Sequence, residues 1–396
     1  MPGAMLRGSV RVDSLAANDL REGLFVGRIW RSGPPGGPRV VLLHDAGVFD
    51  ISDIAPTTSQ LLEIPDVARV LREAPRTKRL CSLEELIGSS DAVAPGESSA
   101  IPRFLAPCDL QVVKACGVTF ARSTLERVVE ERTKGNPDLA LSARQAISEC
   151  LGRDLSRIRP GSPAAIELKA RLLGIGMWSQ YLEVALGPDA EIFTKASPLS
   201  AVGSGAEIGI HRRSIWNNPE PEVVLAVNSR GDPIGATLGN DVNLRDFEGR
   251  SALLLGRAKD NNGSCAIGPA IRLFDETFNL DNVRQLEVTL EVEGPEGFRL
   301  LEKCPMSEIS RDPGELVRQA IGPHHQYPDG LMLFLGTLFA PTQDRDMPGL
   351  GFTHRIGDVV TISTPGLGRL INRVNYCDAI PPWTFGIGEL LRRLAP

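Results

Sequence analysis

The chain contains the sequence Glu220-Pro221-Glu222, followed directly by the apolar run Val223-Val224-Leu225-Ala226-Val227. The run has the length and the β-branched content of a buried strand. Side chains alternate along a strand, so Glu220 and Glu222 are expected on the same face. After a turn at 231–233, a second segment ends in Gly239-Asn240-Asp241 and can return Asp241 to the two glutamates. The sequence therefore predicts a hairpin with three carboxylates at its open end.

Three converging carboxylates repel one another, and a hard divalent cation is the usual way in which such a cluster is stabilised. We therefore predict a Mg²⁺ site on Glu220, Glu222 and Asp241, with Mn²⁺ as an alternative occupant. A Glu-x-Glu pair on an exposed strand, with both acids facing water, is the competing interpretation. The block Asn240-Asp241-Val242-Asn243-Leu244-Arg245-Asp246 and the later Lys259 favour the metal site, because a solvated face does not need them.

Composition excludes several classes of protein. The chain has 396 residues, 42% of them hydrophobic, and can bury one large core or two smaller ones. A formal charge of -6 argues against nucleic-acid binding, which needs a basic surface. No stretch approaches the ~20 apolar residues of a membrane helix. The 7 cysteines include no Cys-x-x-Cys, so we expect a reduced, cytoplasmic protein without zinc.

The pattern along the chain predicts an α+β fold in two parts. Short alternating segments and helical patterns up to the polar stretch 89–99 indicate a small N-terminal α+β domain, residues 1–108. Residues 109–396 are expected to form the catalytic domain. Within it, the apolar spacing over about 122–187 predicts a helical insertion. From residue 191 onward alternating strands dominate, which favours a rolled or barrel-like β core over βαβ units.

A known family shares the order of these motifs. The motifs, in chain order, are Phe193-Thr194-Lys195, Glu220-x-Glu222, Asn240-Asp241-Val242-x-x-Arg245-Asp246, Lys259, Gly268-Pro269, Gly336-Thr337, Gly357-Asp358 and Asn372-Arg373-Val374. Together they resemble the fumarylacetoacetate hydrolase superfamily over roughly residues 110–396. The resemblance implies a mixed β-roll or barrel-like catalytic core, Mg²⁺ on the three carboxylates, and a homodimer or larger homo-oligomer.

One segment distinguishes between branches of that superfamily. The hydrolases resemble one another in a His-x-x-Glu pair that activates water, and here the pair reads Ser123 and Glu126. Serine cannot act as a base near neutral pH. The segment 117–123 is instead similar to that of the 2-keto-3-deoxypentonate dehydratases. This resemblance implies conversion of a 2-keto-3-deoxypentonate to 2,5-dioxopentanoate, in non-phosphorylative pentose catabolism.

The resemblance and the chemistry assign roles to single residues. A dehydratase needs cationic support for the substrate carboxylate, a base for the C3 proton and a proton source for the C4 hydroxyl. Lys259 is the candidate for support and proton transfer, although burial and nearby acids shift a lysine pKa in opposite directions. The family suggests a carboxylate pocket completed by Lys195 and Thr337. Glu126 or Ser123 is the candidate base, if the helical insertion covers the site.

Arg245 is a further candidate for the substrate site, because it can orient the Asp241 loop through Asp246. A purely structural Arg245–Asp246 pair is equally compatible with the sequence.

Two other functions remain open from sequence. A hydrolase of acylpyruvates or diketo acids would share the metal but needs an activated water, and therefore a histidine near the metal. The other is a non-catalytic scaffold, which is disfavoured because a scaffold does not need three mutually repelling carboxylates held together. The stereochemistry and chain length of the substrate are not encoded in any residue singled out above.

Overall fold

The computed structural model describes residues 17–31, 36–92, 102–151, 158–346 and 351–395. The strands are β1 (Phe25–Arg31), β2 (Gly37–His44), β3 (Gly47–Asp50), β4 (Arg79–Cys81), β5 (Arg103–Leu105), β6 (Val112–Gly117), β7 (Glu191–Ala196), β8 (Glu207–Ile210), β9 (Asn217–Asn218), β10 (Pro221–Val227), β11 (Pro233–Asp241), β12 (Asn243–Leu244), β13 (Cys265–Leu273), β14 (Glu287–Glu293), β15 (Arg299–Pro305), β16 (Leu331–Phe334), β17 (Val359–Thr364) and β18 (Gly368–Tyr376).

The helices are α1 (Ala17–Glu22), α2 (Thr58–Glu63), α3 (Val67–Glu73), α4 (Leu83–Ala92), α5 (Ala121–Thr133), α6 (Ala140–Leu151), α7 (Pro163–Gly174), α8 (Gln180–Leu186), α9 (Arg245–Glu248), α10 (Leu255–Lys259), α11 (Leu280–Val283), α12 (Pro313–Ala320) and α13 (Ile387–Leu394). Among the described residues, no helix has the length and apolar character needed to cross a membrane.

Two mixed sheets form the framework. The large sheet has 11 strands in the order β4-β3-β2-β1-β13-β11-β10-β16-β6-β7, with β5 also paired to β1. The second sheet has 5 strands in the order β15-β14-β17-β18-β8. Each contains one parallel pair, β16 with β6 and β18 with β8, among antiparallel ones. The predicted α+β class is confirmed, and both strand orders are open paths rather than closed barrels.

The central strand β10 is buried on both faces. Val223, Leu225 and Val227 contribute to a core shared with β14 and β17 of the second sheet. On the opposite face, Val224 and Ala226 contribute to a core shared with α2 and α3. A strand covered on both sides reads as a continuous apolar run, which explains the sequence Val-Val-Leu-Ala-Val.

The N-terminal strands continue the same sheet. β1 pairs antiparallel with β13, with Phe25 opposite Arg272 and Val26 opposite Ile271. The segment preceding residue 108 therefore adds strands to the sheet that carries β10, while its own helix α4 covers a separate core. The domain boundary at residue 108 stays a prediction, and most of the polar stretch 89–99 lies outside the described residues.

The predicted helical insertion corresponds to α5, α6, α7 and α8, which share one core with Trp216. One end of the large sheet lies near this group of helices. The strand register brings the ends of five adjacent strands together there. The residues at these ends are Asp241 at the end of β11, Glu220 and Glu222 at the start of β10, Gly336 and Thr337 after β16, Gly117 at the end of β6 and Glu191 at the start of β7.

Close packing of β11 against its neighbours generates a stability prediction. A Cβ added at Gly239 would lie 2.2 Å from Phe334 Cε1 and 2.6 Å from Val224 Cγ2. We expect Gly239→Ala to lower the free energy of unfolding by about 1–3 kcal/mol through overpacking, as measured by urea denaturation. The control Gly88→Ala, on exposed α4 with nothing within 4 Å, should be neutral or slightly stabilising. An unchanged stability of Gly239→Ala would contradict this packing.

Candidate active site and metal centre

The three predicted carboxylates converge. One ligand atom from each of Glu220, Glu222 and Asp241 lies within 4.8 Å of the others. The β10–β11 hairpin produces this arrangement, with Pro221 opposite Asn240. Asn240 Oδ1 accepts a hydrogen bond from the Glu220 amide at 3.0 Å, which fixes the chain where the two strands meet. All three carboxylates are buried, with at most 1% of each residue exposed.

The loop after β16 supplies hydrogen bonds to the two glutamates. Thr337 Oγ1 lies 2.8 Å from Glu220 Oε2 and 3.1 Å from Glu222 Oε1. The Gly336 amide donates to Glu222 Oε2 at 2.6 Å. Gly336 has a φ of +104°, and a Cβ there would lie 1.9 Å from Thr119 Oγ1. Only glycine therefore brings this amide to the carboxylate.

Two buried lysines neutralise part of the negative charge. Lys259 Nζ donates to Glu220 Oε2 at 2.5 Å and to Asp241 Oδ2 at 3.0 Å. Lys195 Nζ lies 2.7 Å from Asp241 Oδ1 and donates to the carbonyls of Val242 and Lys259. Burial lowers the pKa of Lys259, but the charges of Asp241, Glu220 and Glu248 outweigh it and raise this pKa above its usual range. The acidic neighbours therefore favour the charged ammonium form of Lys259 over the neutral amine.

The residues of the trio fit a hard divalent cation. Burial and the charges of Asp241 and Glu220 raise the pKa of Glu222 well above its usual range, so positive charge is still lacking beside it. For Glu220, burial is outweighed by Arg127 and Lys259, which lower its pKa to about 2. Asp241 Oδ1 has no aligned hydrogen-bond donor among the described residues. Three hard oxygen donors with a charge deficit are the ligand set that Mg²⁺ or Mn²⁺ prefers.

Sequence reasoning missed Arg127, on α5. Its guanidinium contacts three carboxylates from three elements: Glu130 at 2.7 Å, Glu248 at 2.9 Å, and Glu220 through a short hydrogen bond. It thereby holds the Glu220 oxygen that faces away from Lys259. No local pattern marks this arginine, because in the sequence it is one of several charged residues along an amphipathic helix.

A small cavity lies beside the carboxylates. Its lining combines apolar, acidic and basic residues: Cys116, Gly117, Val118, Ser123, Arg127, Glu191, Phe193, Glu220, Asp241, Glu248, Lys259 and Thr337. Of the candidates from sequence, Ser123, Lys259 and Thr337 line the cavity. Lys195, Glu126 and Arg245 do not.

Glu191 is a second residue that the sequence did not reveal. It begins β7 and packs against Gly117, where an added Cβ would lie 1.9 Å from Glu191 Oε2. Within the described part of the chain its carboxylate has no hydrogen-bond or ion-pair partner. Burial raises the pKa of Glu191 above its usual range, against the charges of Arg127 and Lys259. An unpaired carboxyl group with a raised pKa in a cavity has the properties of a general base.

The two candidate bases on α5 occupy different positions. Ser123 Oγ lines the cavity and donates to the Phe120 carbonyl at 2.9 Å. Glu126 instead accepts hydrogen bonds from Arg144 at 2.6 and 2.8 Å and from Arg245 at 2.6 Å. Burial raises the pKa of Glu126, but these two arginines together lower it below its usual range. A base role for Glu126 stays a prediction that this geometry does not favour.

Arg245 has different partners from the one that the sequence suggested. Its guanidinium donates to Glu126 and Glu130, both at 2.6 Å, and lies 4.0 Å over the Trp216 ring. Asp246 accepts from Ser214 Oγ at 2.7 Å and from the Ile215 amide, and the expected Arg245–Asp246 pair is wrong. Adjacent residues point apart on a helix, which explains the difference.

No histidine lines the cavity among the described residues, which include all five histidines. His211 packs against Phe247, with ring centroids 5.3 Å apart. His354 is buried, and its Nδ1 lies 3.0 Å from Asp358 Oδ2. The group that a water-activating hydrolase would require is therefore not found beside the carboxylates.

Comparison with known proteins gives a family and several relatives. A family model described as fumarylacetoacetate (FAA) hydrolase C-terminal matches residues 178–375. The chain is 29% identical over 257 residues to a probable 2-keto-3-deoxyxylonate dehydratase of Haloferax volcanii, which covers 65% of this chain and 84% of that protein. It is 32% identical over 205 residues to a 2-dehydro-3-deoxy-D-arabinonate dehydratase of Saccharolobus solfataricus, which covers 52% of this chain and 64% of that protein.

Solved structures share the fold. The structure of 2-keto-3-deoxy-D-arabinonate dehydratase complexed with magnesium and 2,5-dioxopentanoate superposes with a TM-score of 0.61 at 21% identity, covering 89% of this chain and 99% of that one. A fumarylacetoacetate hydrolase from Exiguobacterium antarcticum superposes with a TM-score of 0.53 at 16% identity, with the same coverage of 89% and 99%. The fold is therefore shared with both dehydratases and hydrolases.

The metal site generates a prediction about thermal stability. We expect Mg²⁺ to raise the melting temperature, because a ligand at about a hundredfold excess over Kd stabilises the native state by about 2.7 kcal/mol. Glu222→Gln should abolish the shift and leave the metal-free protein at least as stable, because a repelled buried carboxylate is removed. The control Glu287→Gln, on a half-exposed surface pair, should retain the full shift. Absence of any shift in the unaltered protein would contradict the metal site.

The position of Arg245 generates a second prediction. Arg245→Met should lower the free energy of unfolding by about 3–5 kcal/mol, because it leaves buried carboxylates uncompensated. The control Arg230→Met breaks an exposed pair with Glu63 and should cost at most about 1 kcal/mol. Urea denaturation measures both. A variant of normal stability with only a raised KM would indicate instead that Arg245 contacts the substrate.

Proposed function

The chain belongs to the fumarylacetoacetate hydrolase family, and we propose that it is a Mg²⁺-dependent dehydratase that converts a 2-keto-3-deoxypentonate to 2,5-dioxopentanoate. The observation that carries this proposal is the composition of the cavity. The unpaired carboxyl group of Glu191 and a charged lysine line it beside a carboxylate trio suited to a divalent cation, and no histidine of the described residues is among its lining. The names of the two curated relatives support the same substrate class.

The proposed roles of the residues follow from their contacts. Glu220, Glu222 and Asp241 would hold the metal. When bound, Mg²⁺ would supply positive charge that polarises the 2-keto group and acidifies the C3 proton. The Lys259 ammonium and the Thr337 hydroxyl bind the substrate carboxylate, because both line the cavity beside the trio. Lys195 acts indirectly, since it is fully buried and holds Asp241 in place.

Glu191 is the proposed base for the C3 proton. It faces the cavity, lacks a partner among the described residues, and has a raised pKa. The electron pair of the C3–H bond forms the C3–C4 double bond, and the C4–O bond breaks. The C4 hydroxyl leaves with one added proton as water. Isomerisation of the resulting allylic alcohol, which carries its hydroxyl on C5, then gives the C5 aldehyde.

The alternative, an acylpyruvate or diketo-acid hydrolase, shares the metal site but must activate a water. Ser123 occupies the position of the water-activating histidine of the hydrolases. Its hydroxyl donates a hydrogen bond to a backbone carbonyl and is not oriented by a second base. A hydrolase would therefore require a different water-activating group. The non-catalytic scaffold is disfavoured by the cost of holding repelling buried carboxylates together, which has no structural use.

We also infer that the protein is a cytoplasmic homo-oligomer and that its product enters non-phosphorylative pentose catabolism. Six cysteines of the described residues carry free thiols, five of them buried, which suits a reducing compartment. Exposed apolar side chains such as Leu253, with 95% exposure, and Ile215, with 70%, support a subunit contact.

The function predicts activity on one substrate class. Racemic 2-keto-3-deoxypentonate should be converted to 2,5-dioxopentanoate only with Mg²⁺ or Mn²⁺, as followed with a coupled aldehyde dehydrogenase. Glu191→Gln should lower the rate by about 10²–10⁴-fold, Glu222→Gln should abolish metal-dependent turnover, and Glu287→Gln should leave the rate unchanged. Turnover of an acylpyruvate alone, in a parallel assay, would contradict the dehydratase function and support the hydrolase function.

A further inference from the structure

We propose that Glu248 is a second catalytic carboxyl group, which donates a proton to the departing C4 hydroxyl and afterwards removes a proton from C5. The inference rests on the proposed dehydratase function and deepens it. No sequence pattern marks Glu248, and it is not one of the three carboxylates suited to the metal.

Glu248 enters the cavity from a different element than Glu191. It is the last residue of α9, the short helix that begins shortly after Asp241 ends β11. Glu191 begins β7, at the other end of the row of five strands. Both residues line the same cavity, so two elements of the fold each bring a carboxyl group to it.

The contacts of Glu248 leave it free to exchange a proton. It is 3% exposed, and Arg127 is its one charged contact among the described residues. That contact, 2.9 Å from the guanidinium to Oε2, lacks the alignment of a hydrogen bond. Glu248 makes no hydrogen bond or ion pair with the carboxylate trio. Arg127 also pairs with Glu130 and Glu220, so protonation of Glu248 would leave it two other carboxylate partners.

The surroundings of Glu248 favour a proton that is easily lost and regained. Burial raises the pKa of Glu248 to about 7, with the charges of Arg127 and Lys259 opposing the rise and those of Glu130 and Glu220 adding to it. Tyr181, on α8, is a further titratable side chain that interacts electrostatically with Glu248. The pKa of the Tyr181 phenol is raised, so this phenol stays neutral. A group with a pKa near the working pH serves equally as acid and as base.

Two carboxyl groups are sufficient for the proton transfers up to the enol, and both regain their starting protonation states. At the start Glu191 is ionised and Glu248 is protonated. Glu191 takes the C3 proton, the C3–H electron pair forms the C3–C4 double bond, and the C4–O pair leaves on oxygen, which Glu248 protonates to water. Glu248 then removes a C5 proton while Glu191 returns its proton to C3, giving an enol between C4 and C5. Both groups are restored, and the enol becomes the C5 aldehyde by transfer of its hydroxyl proton to C4 through solvent.

The test separates the first proton transfer from the loss of water. 2-Ketobutyrate carries C3 protons but no hydroxyl, so its C3 exchange in D₂O, followed by NMR with Mg²⁺, needs only the C3 base. We expect Glu248→Gln to lose about 10²–10⁴-fold of the dehydration rate while C3 exchange stays within a few-fold of the unaltered protein. Glu191→Gln should lose both activities. The Mg²⁺-induced rise in melting temperature, measured on both variants, reports folding and metal binding.

Each outcome decides a separate question. Dehydration by Glu248→Gln at the unaltered rate, or loss of C3 exchange together with dehydration in a variant that keeps the Mg²⁺ shift, would overturn the role of Glu248. If the variant does not fold, the pH dependence of the unaltered protein decides instead. Dehydration should fall above the pKa of Glu248 as its proton is lost, whereas C3 exchange should not. Parallel pH profiles would overturn the proposal, and an unaltered protein that catalyses neither reaction would overturn the dehydratase function itself.

Discussion

The mutual repulsion of carboxylates buried at one end of a sheet is the constraint on which the rest of the site depends. Glu220, Glu222 and Asp241 converge within 4.8 Å, in a region where an uncompensated charge is costly. Lys259 and Lys195 compensate only part of this charge, and the charge deficit persists at Glu222, whose pKa is raised. A divalent cation would supply the missing counter-charge.

The sheet determines which groups can meet there. Five strand ends are aligned by register, and the loop after β16 presents an amide and a hydroxyl to the glutamates because Gly336 adopts a conformation closed to other residues. At the far end of the row, Gly117 leaves the space that the Glu191 carboxylate occupies. The acidic and basic groups thus lie on a rigid framework, which preserves the distances that proton transfer requires.

The sequence predicted the hairpin, the carboxylate trio and the strand-rich region, because these depend on period-2 alternation and a local turn. It did not predict that β1 pairs with β13, since no local pattern encodes a contact between strands some 240 residues apart. Glu191, Glu248 and Arg127 were missed for the same reason: their chemistry arises only where distant elements converge. Arg245 was assigned the wrong partner because sequence proximity was taken for spatial proximity, whereas its guanidinium reaches back to α5.

The three-way contact of Arg127 has a consequence for how the molecule assembles. This arginine joins α5 to β10 and α9, which lie about a hundred residues further along the chain. A partly folded chain in which α5 has not docked lacks this guanidinium and leaves the charges of Glu220 and Glu248 less compensated. Burial of these carboxylates without their partner is costly. Docking of α5 and closure of this end of the sheet are therefore expected to occur together, as one cooperative step.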